Sequence, residues 1–246
     1  MEVDVILFDW GGTLSQVVRQ DELLRRGAQA AARVLCESGI EEAIPCLIGK
    51  VEAMEKAAAS HPELREADFS DVLQAWAREF DGLVHIDRIP AAIEAIGREW
   101  IGSLEPFPGS VEAVKTLHRH GIKLGLVSNC MLPPVYCRQE FERHGFGGLF
   151  NFTLFSSEIG YRKPSPKIYE EALRRAFPQD RPADLSRVMF VGDSPAFDVA
   201  APAALGMKTA LVTCYKGIWS AEDYARAKPD LRIDAVAELP ARLGMA

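Results

Sequence analysis

The chain of 246 residues has no run of 18 apolar residues, no CxxC pair and no block of basic residues. The first absence argues against a transmembrane helix, which needs roughly 20 apolar residues to cross the hydrocarbon. The second comes with an odd count of five cysteines (Cys36, Cys46, Cys130, Cys137 and Cys214). In a chain this long, that argues against a disulfide framework and predicts reduced thiols in a cytoplasmic protein. The third, with a formal net charge of −7, argues against nucleic acid or an anionic membrane as a partner. Nor is there the pattern of a signal peptide, since Asp4 and Asp9 interrupt the opening apolar stretch. Five histidines are scattered without partner spacing, and none is assigned to a metal. An acidic protein that handles anionic substrates therefore needs local positive groups or a metal ion.

Nearly half of the residues are apolar, enough for a sizeable core. From residue 107 onward, short apolar runs alternate with helical patterns. The runs IKLGLVSN (122–129), FTLFSS (152–157), RVMFVGD (187–193), KTALVT (208–213) and a weaker LRI (231–233) read as strands. Helical stretches are expected at about 109–120, 134–144, 165–176, 196–205 and 235–243. Strands separated by helices imply crossover connections, and so a parallel sheet covered on both faces. The opening VDVILF belongs to the same set.

Residues 16–104 have another texture. Alanine, glutamate, arginine and leucine dominate, with apolar residues at helical spacing, as in LLRRGAQAAARVL and FSDVLQAWAREF. About four helices and no convincing strand are expected, with Trp76 and Trp100 as packing residues. EPFPG (105–109) reads as the return hinge. The fold class is therefore α/β: a Rossmann-like three-layer sandwich with a central parallel sheet, plus an inserted all-helical cap domain. The expected division is 1–15 and 106–246 for the core and 16–105 for the cap.

Ligands of an open parallel sheet bind at the carboxyl ends of its strands. The first strand runs into FDWGGTL (8–14), which supplies Asp9. The next ends in Ser128 and Asn129. After FTLFSS comes SEIGYRKPSP with Lys163, and the fourth ends in GDSPAFD with Asp193 and Asp198. A carboxylate able to act as nucleophile, a hydroxyl, a lysine and an acidic pair thus converge on one edge. Beside them, Cys130 reads as a small packed residue, and Trp10 as facing the cap and shaping the substrate cavity.

These four stretches, in this order and on these elements, resemble the motifs of haloacid dehalogenase-type hydrolases, a superfamily made mostly of phosphatases. The resemblance covers the whole chain, the helical insertion matching the family's cap. It implies that Asp9 attacks phosphorus and becomes an aspartyl phosphate, and that Ser128 and backbone N–H groups near Asn129 bind the phosphoryl oxygens. It further implies that Lys163 neutralises charge. Mg²⁺ would be held by Asp9, the Gly11 carbonyl, Asp193 and Asp198. Trp10, Gly12, Thr13 and Asn129 complete the expected substrate side, with Thr13 ordering the first loop. The partner would be a small phosphorylated molecule.

Gly11 departs from the family pattern. Phosphatases of the family usually carry a second Asp there, which protonates the leaving group and later activates water. Gly11 keeps the backbone carbonyl and loses the carboxylate, so acid–base help worth about 10²–10⁴-fold is missing. Alkyl phosphates should then be poor substrates, and acyl or aryl phosphates should suffer less. Dehalogenases have a tyrosine at this position and lack the GD of the fourth motif, so GDSPAFD argues against dehalogenation. Phosphonoacetaldehyde hydrolases read DWAGT, close to the DWGGT here, and use a cap lysine as a Schiff base. Lys50 and Lys56 are the candidates for that role, although SNC does not resemble that branch. A third alternative is a catalytically silent binding protein.

Overall fold

The structure is a computed structural model that describes all residues except 1, 19, 37–42, 81–83, 181, 216, 218 and 246. Its strands are β1 (Val5–Phe8), β2 (Ser15–Val17), β3 (Leu104–Pro106), β4 (Lys123–Ser128), β5 (Phe152–Phe155), β6 (Val188–Gly192), β7 (Lys208–Val212) and β8 (Leu231–Ile233). Six of them form one parallel sheet in the order β5-β4-β1-β6-β7-β8.

The central position of β1 follows from its composition. All four of its residues are apolar and buried, so both faces of the strand need cover. Ile6 and Phe8 belong to the same packed cluster as Val114 and Leu117 of helix α5 (Ser110–Arg119) and Phe141 of α6 (Pro134–Phe141). Val5 and Leu7 face the other way, toward Ile168, Tyr169 and Leu173 of α8 (Pro166–Ala176). Alternation along one strand therefore divides the apolar interior into two layers. The expected α/β sandwich with a parallel sheet is what the chain forms.

Between β2 and β3 lie α1 (Gln20–Leu35), α2 (Ala43–Ser60), α3 (Phe69–Ala77) and α4 (Ile89–Trp100). In α3 the buried residues Phe69, Val72, Leu73, Trp76 and Ala77 fall on one stripe, and Asp68 caps the helix by accepting from Ser70 N at 2.8 Å.

Three sequence readings change. The stretch 16–104 is not free of strand: β2 and β3 pair antiparallel, Gln16 opposite Glu105, so the two connections to the helical insertion are bound to each other. Strands of three mixed residues carry too little periodicity to be seen in advance. FTLFSS stops at Phe155, because Ser156–Ile159 turns into a short helix, α7, whose Glu158 carboxylate accepts from Phe155 N at 3.0 Å. Downstream of β7 a helix at Ala221–Arg226 was not anticipated. Among the described residues no helix is long and apolar enough to cross a membrane.

Candidate active site

Phe8 stands level with Leu126 of β4 and Val191 of β6, so Asp9 leaves the sheet between two neighbouring strand ends. Its N–H is held by the Val191 carbonyl at 2.9 Å. Asp193 follows β6 directly, and Asp198 returns to the same edge from the wide helical turn Pro195–Ala200. That return needs Gly192: a Cβ there would come within 2.2 Å of the Asp198 carboxylate. Gly12, at φ +80°, plays the same part for Asp193, since a Cβ would meet Asp193 Oδ2 at 2.7 Å. The glycines admit the carboxylates.

One ammonium ties the acids together. Lys163 Nζ lies 2.8 Å from Asp9 Oδ1 and 2.8 Å from Asp198 Oδ1, and the lysine is 3 % exposed. Its backbone is gripped by Asn129, which accepts from Lys163 N at 2.7 Å and donates to Lys163 O at 3.2 Å. The Asn129 side chain is thus committed to positioning the lysine loop, which leaves the backbone N–H groups beside it as the expected contacts for a phosphoryl group. Asp198 Oδ2 accepts from Ser194 N at 3.0 Å. Thr13 donates to Asp193 Oδ1 at 3.4 Å, so it reaches the acid opposite rather than only ordering its own loop.

Burial is the dominant electrostatic influence here. It raises the carboxyls of Asp193 and Asp198 above the ordinary range, and the like charge of Asp9 pushes the same way. Lys163 opposes this in both acids. Burial alone would lower the lysine's own value, but Asp198 and Asp9 outweigh it and hold the ammonium charged. Carboxylate oxygens of Asp9, Asp193 and Asp198 lie within 4.8 Å of one another.

Gly11 is exposed, its φ is outside the left-handed region, and a Cβ built on it meets nothing within 4 Å. Trp10 is the clear correction. It is 3 % exposed, donates from Nε1 to Ser15 Oγ at 3.3 Å, and lies edge-on to Phe141 with centroids 5.6 Å apart. The core aromatics Phe141 and Phe155 claim its ring. Ser128 ends β4, buried, beside this edge.

Other residues reach the site without having been foreseen. Tyr215 and Tyr224 come from the segment after β7, a carboxyl strand end that the sequence reading left out. The Tyr215 ring lies 2.7 Å from where a Gly12 Cβ would be, and Tyr224 donates to the Asp193 carbonyl at 3.1 Å. On the other side, Glu66 N donates to Gly160 O at 3.0 Å, Arg162 N donates to Leu64 O at 3.0 Å, and Glu66 pairs with Arg162 at 3.4 Å. The inserted segment thus pairs with the backbone that leads into Lys163.

An apolar cavity of about 170 Å³ lies between helices α1, α2, α3 and α4 and the segment 129–132 that leaves β4. Trp100, expected to be a packing residue, is half-buried and forms part of its wall, as does Cys130. Neither Lys50 nor Lys56 lines it. Lys50 pairs with Glu79 at 2.6 Å, and Lys56 is exposed.

A family model described as haloacid dehalogenase-like hydrolase matches residues 3–206. The chain belongs to this family. Pyrimidine 5'-nucleotidase YjjG of Escherichia coli is 30 % identical over 134 residues, covering 54 % of this chain and 55 % of that protein. The chain therefore spans about half of that relative's length. Glyceraldehyde 3-phosphate phosphatase of Methanopyrus kandleri is 26 % identical over 210 residues, covering 84 % of this chain and 82 % of the relative. Among solved structures, a phosphatase of the family from Thermococcus onnurineus superposes with a TM-score of 0.65 at 20 % identity, covering 100 % and 99 % of the two chains. The chain is thus a hydrolase of this family, and phosphatases stand among the relatives it resembles.

Proposed function

We propose that the protein is a magnesium-dependent phosphatase that acts on a small phosphorylated metabolite through an aspartyl phosphate on Asp9. The observation that carries this reading is Lys163, buried and bridging Asp9 to Asp198 with Asp193 alongside. In this reading residues 1–15 and 106–246 are the catalytic core and 16–105 the cap.

The donors fit the ion. Three buried carboxylates face a single ammonium, which leaves negative charge uncompensated. The set is all oxygen, as a hard divalent cation prefers. Asp9, Asp193, Asp198 and the Gly11 carbonyl would hold Mg²⁺, which when bound supplies charge neutralisation for the phosphoryl oxygens.

The remaining chemistry belongs to the chain. The Asp9 carboxylate attacks phosphorus. Lys163 keeps Asp9 oriented and offsets charge on the transferring group, while Ser128 donates to a phosphoryl oxygen. With no carboxyl at position 11, the leaving oxygen departs without a protein acid. Water then hydrolyses the aspartyl phosphate, giving phosphate and restoring Asp9. The likeness of DWGGT to DWAGT is not matched by a lysine for the C–P hydrolase reading, because the Lys50 ammonium is committed to Glu79 and no lysine borders the cavity. A silent protein would have no use for three buried acids around one lysine.

The test is hydrolysis of p-nitrophenyl phosphate and acetyl phosphate with Mg²⁺, comparing the native chain with Asp9→Asn and Gly11→Asp. The native enzyme is expected to turn over both, Asp9→Asn to lose on the order of 10⁴-fold or more, and Gly11→Asp to gain roughly 10²-fold on alkyl phosphates. Equal inertness of all three, with magnesium bound, would overturn the reading.

A further inference from the structure

The apolar cavity raises the question of what a phosphatase would place there. Its position is informative. Asn129, which grips the backbone of Lys163, also forms part of the cavity wall, so the cavity abuts the catalytic edge. In the phosphatase reading Asp9 attacks phosphorus from the strand ends, and in-line displacement then puts the departing oxygen on the side away from Asp9.

The lining is equally informative. Leu23 and Ala28 of α1, Leu47 and Val51 of α2, and Ile96 and Trp100 of α4 contribute to it, and no basic side chain does. Its polar members are Asn129, whose amide is occupied, and Glu55, which is open to solvent. A leaving group with a second anionic charge would find no counter-ion here and would meet a carboxylate. A polyol would leave its hydroxyls unpaired against aliphatic carbon. A cavity of about 170 Å³ is slightly larger than an engineered apolar one of ~150 Å³ that takes benzene.

Resting on the phosphatase reading above, we infer that the leaving group carries a single uncharged apolar ring seated in this cavity, so that the substrate class is an aryl or aroyl phosphate. A second, independent observation agrees. Position 11 holds no acid, and a phenolate or aromatic carboxylate needs none. The Asp9 oxygen bonds to phosphorus as the bond from phosphorus to the leaving oxygen breaks, and that oxygen keeps the electron pair. Water then adds its hydroxyl to phosphorus and releases a proton as the bond from phosphorus to the Asp9 oxygen breaks, its electron pair returning to the carboxylate. The products are inorganic phosphate and free Asp9 carboxylate.

Two acyl phosphates with leaving groups of similar acidity isolate the ring from the chemistry. The measurement is kcat/KM for benzoyl phosphate and acetyl phosphate on the full chain with Mg²⁺. The ring is expected to raise kcat/KM roughly 10- to 100-fold, mostly through KM. Gly27→Leu fills the cavity from α1. A Cβ at Gly27 meets Ile96 Cγ2 at 3.6 Å, an ordinary contact, and leucine is the better helix former, so this variant is expected to fold. In it the benzoyl-to-acetyl ratio should fall toward unity. If native enzyme hydrolyses both equally, or the ratio survives Gly27→Leu, the inference is overturned while the phosphatase reading stands. If neither substrate is hydrolysed, the phosphatase reading itself has failed.

Discussion

At the carboxyl edge of the sheet, Lys163 joins Asp9 to Asp198, Thr13 reaches Asp193, and Asn129 fixes the lysine loop. Two glycines exist there so that carboxylates can approach the backbone. The wall opposite, from α1, α2 and α4, has aliphatic side chains and an indole, with one carboxylate at its rim. Each group at the edge has a defined partner at a defined distance, and altering one strands another. On the helical wall the contribution is volume, shared among many side chains that can be exchanged at modest cost. Bond breaking needs the first kind of surface, and choosing among small phosphates needs the second.

The hardest blow to the charged side is Lys163→Met. It leaves three buried carboxylates without a cation, and urea unfolding in EDTA should show a loss of about 3–5 kcal/mol. A loss under ~1 kcal/mol would mean that the acids are not mutually dependent. Saturating Mg²⁺ works in the opposite sense. At a hundredfold excess over Kd it should stabilise the native protein by about 2.7 kcal/mol, reversed by EDTA. A melting temperature indifferent to the ion would remove the metal from the site.

A third experiment probes the junction of the two regions. Glu140 of α6 is fully buried and accepts from Gly102 N at 2.7 Å and Leu104 N at 3.1 Å, where the chain returns from the insertion. Burial alone would raise its carboxyl, but the Gly102 N–H, His144 and the Leu104 N–H outweigh it and hold the carboxyl below the usual range. Its stabilisation is therefore complete above the ordinary glutamate value and fades as pH falls through the lower folded one. Glu140→Gln should cost about 1–3 kcal/mol at neutral pH and flatten the acid limb of the stability profile. The smallest effect belongs to the helical surface. Lys50→Ala breaks only the Lys50–Glu79 pair, and should change stability by under ~0.5 kcal/mol and leave hydrolysis unaltered. A dead Lys50→Ala would revive the imine chemistry.

The same contrast governs what could be read in advance. Asp9, Lys163, Asp193 and Asp198 were visible because each closes a strand or enters the loop after one, and the unbroken apolar runs VILF and VMFVG mark two of those strands. Sequence also flagged position 11, since an unusual residue shows against a regular motif. What failed were statements about direction. Trp10 follows the strand and so adjoins the site in sequence, yet a tryptophan this large is drawn to Phe141 and Phe155, and its ring turns inward. Tyr215 and Glu66 were out of reach because each touches the site across long stretches of chain, with no local pattern to announce it. The cavity was illegible for a related reason: α1, α2 and α4 each show a helical period, but the gap left where their apolar faces meet is a property of their packing.

The backbone pairing of Leu64 and Glu66 with Arg162 and Gly160 has a mechanical consequence. It sits one residue from Lys163, so it works as a tether between the inserted helices and the buried ammonium. If the helices swing outward, either the two hydrogen bonds part or the lysine's seat travels with them. In the first case the tether limits how easily the enzyme opens. In the second, opening itself loosens the grip on Asp9, and the Lys163–Asp9 pair is fully organised only while the helices are home.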